Sequence, residues 1–197
     1  ATPTILGIAQ SCKTENHTKT PPDVFTTEEC LIITQLVDII LPKTDTPSAS
    51  EVQVEVFIDR FADQVLFKEE QDFLRMTMGQ FIDKALVNTT KENVLDLAPD
   101  ELEAVLNTSL KLSKEEQKSN DETVENYMRA LDEGAAIKLD AIVARNAFAK
   151  NLRNMTILGY KSAEYIGEEV LGYLPVPGEY VACGTAEELT GGKAWSL

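Results

Sequence analysis

The chain has 197 residues, 33 of them acidic and 18 basic, for a formal net charge of −15. That length can enclose a hydrophobic core without disulfides or metal, and a hydrophobic content of 43% is that of a globular protein. The acidic excess argues against nucleic acid and against electrostatic docking on anionic lipid, since both select Lys and Arg.

Residues 1–25 read as an export-signal remnant and linker. Ile5 to Ala9 are apolar, and small residues precede Cys12, as at the end of a cleaved leader. Cys12 is therefore a candidate for lipid modification, with an ordinary N-terminal segment as the alternative. The helical domain is expected over 26–197. Thr26-x-x-Glu29 is a capping box ahead of Cys30–Leu41, a run so apolar that it predicts a central, buried helix ending at Pro42. Lys43–Ser50 is a loop. Glu51–Val56 alternates like a strand, but Val54, Phe57 or Ile58, Phe61 and Val65 keep helical spacing for longer. A helix is expected there, opened by Ser50-x-x-Gln53.

A third helix is predicted over 69–88. Its Met76 and Met78 fit irregular core filling far better than a soft-metal site. Pro99 opens a fourth through about Leu110, and Ser113-x-x-Glu116 opens another. The polar stretch 113–126 reads as a surface excursion. A long helix is expected near 130–158, with Ala141, Ala144, Phe148, Leu152 and Met155 on one face and Gly159 as its C-terminal cap. A short helix over about 162–171 follows, and Pro175, Pro177 and Gly178 then dictate an extended tail. The fold class expected is all-α, a compact multi-helix bundle with a mostly irregular C-terminal tail.

The single histidine, His17, lies in the polar N-terminal stretch. Triads that need an imidazole in a packed site, and zinc sites with two or three His, are thereby excluded. No Cys-x-x-Cys, dinucleotide-binding or nucleophile-elbow pattern occurs. A carboxylate-bridged di-metal bundle would require Glu-x-x-His pairs that the helices lack. No catalytic, cofactor-binding or metal-binding residue is assigned.

Charge and aromatic usage are uneven. Residues 51–140 hold 21 acids and 10 bases, whereas 141–163 hold Arg145, Lys150, Arg153 and Lys161 and no acid. Arg145, Lys150 and Arg153 share one side of a helical wheel and form a candidate island for orienting a protein partner, with a solvated face as the alternative. Every Phe lies at or before Phe148, while Tyr160, Tyr165, Tyr173, Tyr180 and Trp195 crowd the last 38 residues. Tyr and Trp suit interfaces, so about 160–197 is expected to bind another protein. Cys30 reads as a small apolar core residue. Cys183 is left for an intersubunit disulfide, a buried free thiol, or a bridge to Cys12.

The run Arg153-Asn154-Met155-Thr156-Ile157-Leu158-Gly159-Tyr160, with Ser162–Gly167, and the run Leu171–Tyr180 with its Pro175-x-Pro177-Gly178-x-Tyr180 element, resemble the gluconate 2-dehydrogenase subunit 3 family. Cys30–Pro42 and Val54–Val65 are similar to its first two helices. The resemblance covers roughly 26–66 and 141–197, and no match is assigned to the middle, 88–128. Met155 stands where the family would have Leu. The resemblance implies a non-catalytic small subunit that binds an FAD-dependent sugar or alcohol dehydrogenase of the glucose–methanol–choline class. FAD would be held by that large subunit and no cofactor by this chain, with a haem-containing subunit often taking the electrons. It also implies an escort role in twin-arginine export and a periplasmic location, with the membrane reached only through Cys12 or the complex. A free-standing helical lipoprotein binding another protein or ligand is the competing reading.

Overall fold

A computed structural model of the chain describes residues 22–172 and 183–195. Cys12, His17, Tyr173, Pro175, Pro177 and Tyr180 therefore lie outside the described residues. Among the described residues there are seven α-helices and no strand: α1 (Thr27–Ile40), α2 (Val54–Gln64), α3 (Lys68–Thr89), α4 (Pro99–Leu110), α5 (Lys114–Asp132), α6 (Ala141–Ser162) and α7 (Ala186–Thr190). The all-α expectation holds.

Local side-chain chemistry starts most of these helices. At α1 the Thr26 hydroxyl accepts from the Glu29 amide at 3.1 Å, and the Thr26 amide donates to Glu29 Oε2 at 2.7 Å. Ser113 with Glu116, and Thr185 with Glu188, repeat the arrangement at α5 and α7. Pro99 occupies the first turn of α4, where its missing N–H costs nothing.

The entry to α2 departs from expectation. Ser50 is not its cap. A 3-10 turn covers Ser50–Val52, and Gln53 then adopts φ +60 before the helix begins at Val54. Ser50 instead gives its amide (2.8 Å) and hydroxyl (2.6 Å) to the Asp38 carboxylate at the end of α1. A long-range acceptor outcompetes the local capping box.

The centre of the fold is α6, not α1. Helices α1 to α5 all pack on it, and Phe148, Leu152 and Ala149 are buried in the main core with Phe81, Met78, Ile32, Leu36 and Ile58. The Phe81 and Phe148 rings meet at 5.2 Å between centroids. Each such large apolar side chain contributes about 1.5–3 kcal/mol on burial. Helix α1 buries Ile32, Ile33, Leu36 and Val37, but Leu31 faces water, so its apolar character does not extend to burial all round. Met78 is buried in the main core and Met76 packs half-buried on a smaller cluster, as core filling predicts.

Three further expectations are corrected. The helix predicted near 130–158 is two helices. Gly134, at φ +76, ends the first, and the Asp140 carboxylate caps the second by accepting from Ile142 and Val143 amides. Consequently 113–126 is no excursion but most of α5, laid along α6. Gly159 does not cap α6, which runs on to Ser162, and it is buried inside the helix. The next turn, Ile166–Val170, is a π-helix with Ile166 buried.

Candidate functional site

The residues singled out in the sequence are divided among three places. Lys150 projects from α6 toward α5, and its Nζ donates to both carboxylate oxygens of Asp121 at 2.7 Å. This bond holds the Asp121 carboxyl below its ordinary range. Lys150 is thus paired within the chain. Arg145 and Arg153 are half-buried on the same helix and form no ion pair among the described residues. The acidic α5, expected as a surface excursion, occupies the neighbourhood of the basic island.

Tyr160 also turns inward. Its hydroxyl donates to the Pro47 carbonyl at 2.8 Å and lies 3.0 Å from Thr46 Oγ1, fastening the end of α6 to the loop between α1 and α2. One residue earlier, Gly159 lies against the Phe57 ring. Thr156, fully buried, bonds the Leu152 carbonyl at 2.7 Å. The Thr156-x-x-Gly159-Tyr160 element is therefore a packing device joining α6 to α2 and the loop before it. In the sequence Tyr160 reads as an exposed anchor, because tyrosine alone does not disclose which way its hydroxyl points.

Tyr165 and Trp195 are placed differently. They are 54% and 50% exposed, on the segments that follow α6. The Gly172 amide donates to the Ala194 carbonyl, forming an isolated bridge between these segments beside Trp195. Lys193 donates to the Glu169 carbonyl at 2.6 Å. Tyr165 borders an open groove of about 490 Å³ with Glu51, Glu164, Glu168 and Glu169. Tyr165 thus sits in an acidic setting. Arg145 lies 20 residues before Tyr165, most of that along α6 at about 1.5 Å per residue, so these two do not form one patch.

Cys30 and Cys183 are both free thiols. Cys183 is exposed. Cys30 packs against the main core, and burial, aided by Asp59, Glu29 and Glu55, pushes its thiol up to about 11. This agrees with an inert packing role. Among the described residues no group of three or more His, Cys, Asp and Glu side chains is placed to hold a metal ion, and no helix is long and apolar enough to cross a membrane.

The arrangement of helices around α6 places the chain in the all-α class. Residues 27–178 match the family model described as gluconate 2-dehydrogenase subunit 3, and the chain belongs to that family. The matched span includes 88–128, which the resemblance leaves uncovered, so α4 and most of α5 lie within the family's reach. Neither a curated relative nor a solved structure matches the chain.

Proposed function

We propose that this chain is the non-catalytic small subunit of an FAD-dependent sugar or alcohol dehydrogenase complex, and that it docks on the flavin-bearing subunit through the surface around Tyr165 and Trp195. Membership of the subunit 3 family supports an accessory place in such a complex. The observation that carries the docking surface is the exposure of Tyr165 and Trp195, since large amphipathic aromatics left in water are the side chains most often used as binding anchors. The exposed Cys183 thiol is available for a covalent link to the partner. In this reading FAD belongs to the partner and a haem-containing subunit receives the electrons. The small subunit escorts the folded flavoprotein to the bacterial periplasm.

Co-expression with the flavin subunit of such a complex, followed by affinity purification, tests the surface. Combined Tyr165→Ala and Trp195→Ala substitution is expected to weaken the complex by at least about thirtyfold, the effect of one lost hot spot, without changing the circular dichroism of the small subunit. Equal recovery of the complex would overturn the docking surface. Export of the flavin subunit in cells lacking this chain tests the escort role separately.

A further inference from the structure

We propose that the open groove between α2, α3 and α6 is a docking surface for an amphipathic helix of a partner protein, one whose apolar ridge is bordered by Lys or Arg. The groove measures about 320 Å³. Phe73 and Leu74 line it as buried residues, and Phe61, Leu66 and Met155 as half-buried ones. Helix α5 packs on the small cluster around Phe73 through Val124, Tyr127 and Met128, and of these Met128 borders the groove. The surface is separate from Tyr165, which lines a different groove.

Apolar surface continues beyond the groove. Leu66 lies between Val65 and Phe67 in the connection from α2 to α3, and those neighbours are 57% and 76% exposed. Phe67 is the most exposed large apolar side chain among the described residues. The backbone that carries these side chains is well held. The Phe67 amide donates to Glu70 Oε2 at 2.9 Å, and Gln71 Nε2 donates to the carbonyls of Ala62 (2.9 Å) and Leu66 (3.2 Å). A contiguous apolar face kept in water by a fixed backbone marks a site of interaction.

The same bonds decide the form of the occupant. With the main chain around Leu66 already bonded, the groove offers an incoming strand no edge to pair with. An extended segment would bury its own amides and carbonyls over Phe73 and Leu74 without partners. A helix satisfies those groups internally and lays its apolar face into such a groove. Charge decides what borders that face. Glu70 lines the groove, and no basic residue does. Of the charged residues one helical turn from a lining residue, Glu69, Glu125 and Asp132 are acids outside any ion pair among the described residues, and Lys150 is held by Asp121. A second copy of this chain would set acid against acid, with −15 on each. A helix flanked by Lys or Arg is the complement.

Methyl NMR on the full chain, labelled with carbon-13 at methionine, tests the surface. Two of the chain's four methionines, Met128 and Met155, line the groove, and Met78 lies in the main core. The probe is a synthetic helical peptide of Leu and Lys with every Leu on one face, and its counterpart carries Glu in place of Lys. The Lys peptide is expected to shift the Met128 and Met155 methyl signals and leave Met78 in place, and the Glu peptide to shift none of them. Phe67→Ser should weaken binding by at least about fivefold. Glu70→Gln, which keeps an acceptor for the Phe67 amide, should weaken it by about two- to fivefold, the scale of an exposed ion pair. Glu103→Gln, on α4 and outside the groove, should leave it unchanged. No shift at Met128 and Met155, equal shifts with both peptides, equal weakening by Glu70→Gln and Glu103→Gln, or movement of Met78 with the other two would each overturn the proposal. Shifts of Met128 and Met155 on concentrating the chain alone would give the groove to a second copy and overturn it as well.

Discussion

The ring of Phe57 on α2 lies so close to Gly159 on α6 that a Cβ at Gly159 would stand 2.5 Å from its Cδ1. Glycine here is required by the approach of two helices and not by backbone conformation, because Gly159 lies inside α6 and has no positive φ. Gly159→Ala is expected to cost about 1–3 kcal/mol through overpacking, even though alanine favours helix. Tyr160→Phe, which strips the hydroxyl from Pro47, should cost about 1 kcal/mol. Urea unfolding followed by circular dichroism measures both. Stabilisation by Gly159→Ala would show that the Phe57 ring swings aside freely.

Asp59 is 6% exposed, and its carboxylate accepts three successive amides, from Asp23 (2.7 Å), Val24 (3.1 Å) and Phe25 (3.1 Å). It pins the segment leading into α1 onto α2, with Phe25 buried beneath. Asp59→Ala leaves those donors without their acceptor and is expected to cost about 2–4 kcal/mol, since hydrogen bonds to charged groups are the stronger ones. Thermal unfolding is the check. A midpoint within a degree of the parent would mean that water replaces the carboxylate without loss.

The two described cysteines should differ sharply toward alkylating reagents. With Cys12 replaced by Ser, iodoacetamide at pH 8 is expected to label Cys183 promptly and Cys30 only on the timescale of opening. Cys30 has its thiol raised to about 11, chiefly by burial, and the thiolate is the nucleophile. Peptide mapping of a labelling time course reads this directly. Comparable rates at the two sites would contradict the packing of Cys30 on the core.

Acid should loosen the fold from its helix starts. The carboxyls of Glu51 (bonded by Lys43), Glu101 (bonded by Lys91), Glu116 and Glu188 (bonded by the amides of Ser113 and Thr185) and Asp121 (bonded by Lys150) all lie below their ordinary values of 4.5 for Glu and 3.8 for Asp. The native state binds fewer protons than the unfolded state as these groups titrate, so stability rises with pH across that range. Their contribution is present in full above pH 4.5 and is lost progressively as pH falls through the lowered values. Denaturant midpoints between pH 7 and pH 3 should be level at first and then decline. A midpoint that rises on acidification would reverse the assigned direction.

Features that depend on neighbours along the chain are legible in the residues alone. Thr26 with Glu29, Ser113 with Glu116, and Pro99 act across three or fewer positions, so their helix starts follow directly from the sequence. The same locality misleads at Ser50, whose hydroxyl has Asp38 within reach once the chain folds back. The apolar stripe Val124, Tyr127 and Met128 is present in the sequence, but the polar residues between those positions mask it.

By itself the sequence determined the all-α class, the resemblance that the family match bears out, and the inventory of charges and aromatics. Only the tertiary structure decided which way that inventory points. Lys150 turns to Asp121 and Tyr160 to Pro47, 29 and 113 positions away, while Tyr165 and Trp195 are left in water. The physical reason is that a helical period of 3.6 residues sets a side chain's azimuth on its own helix. Whether that azimuth meets solvent or another helix depends on packing between segments distant in sequence.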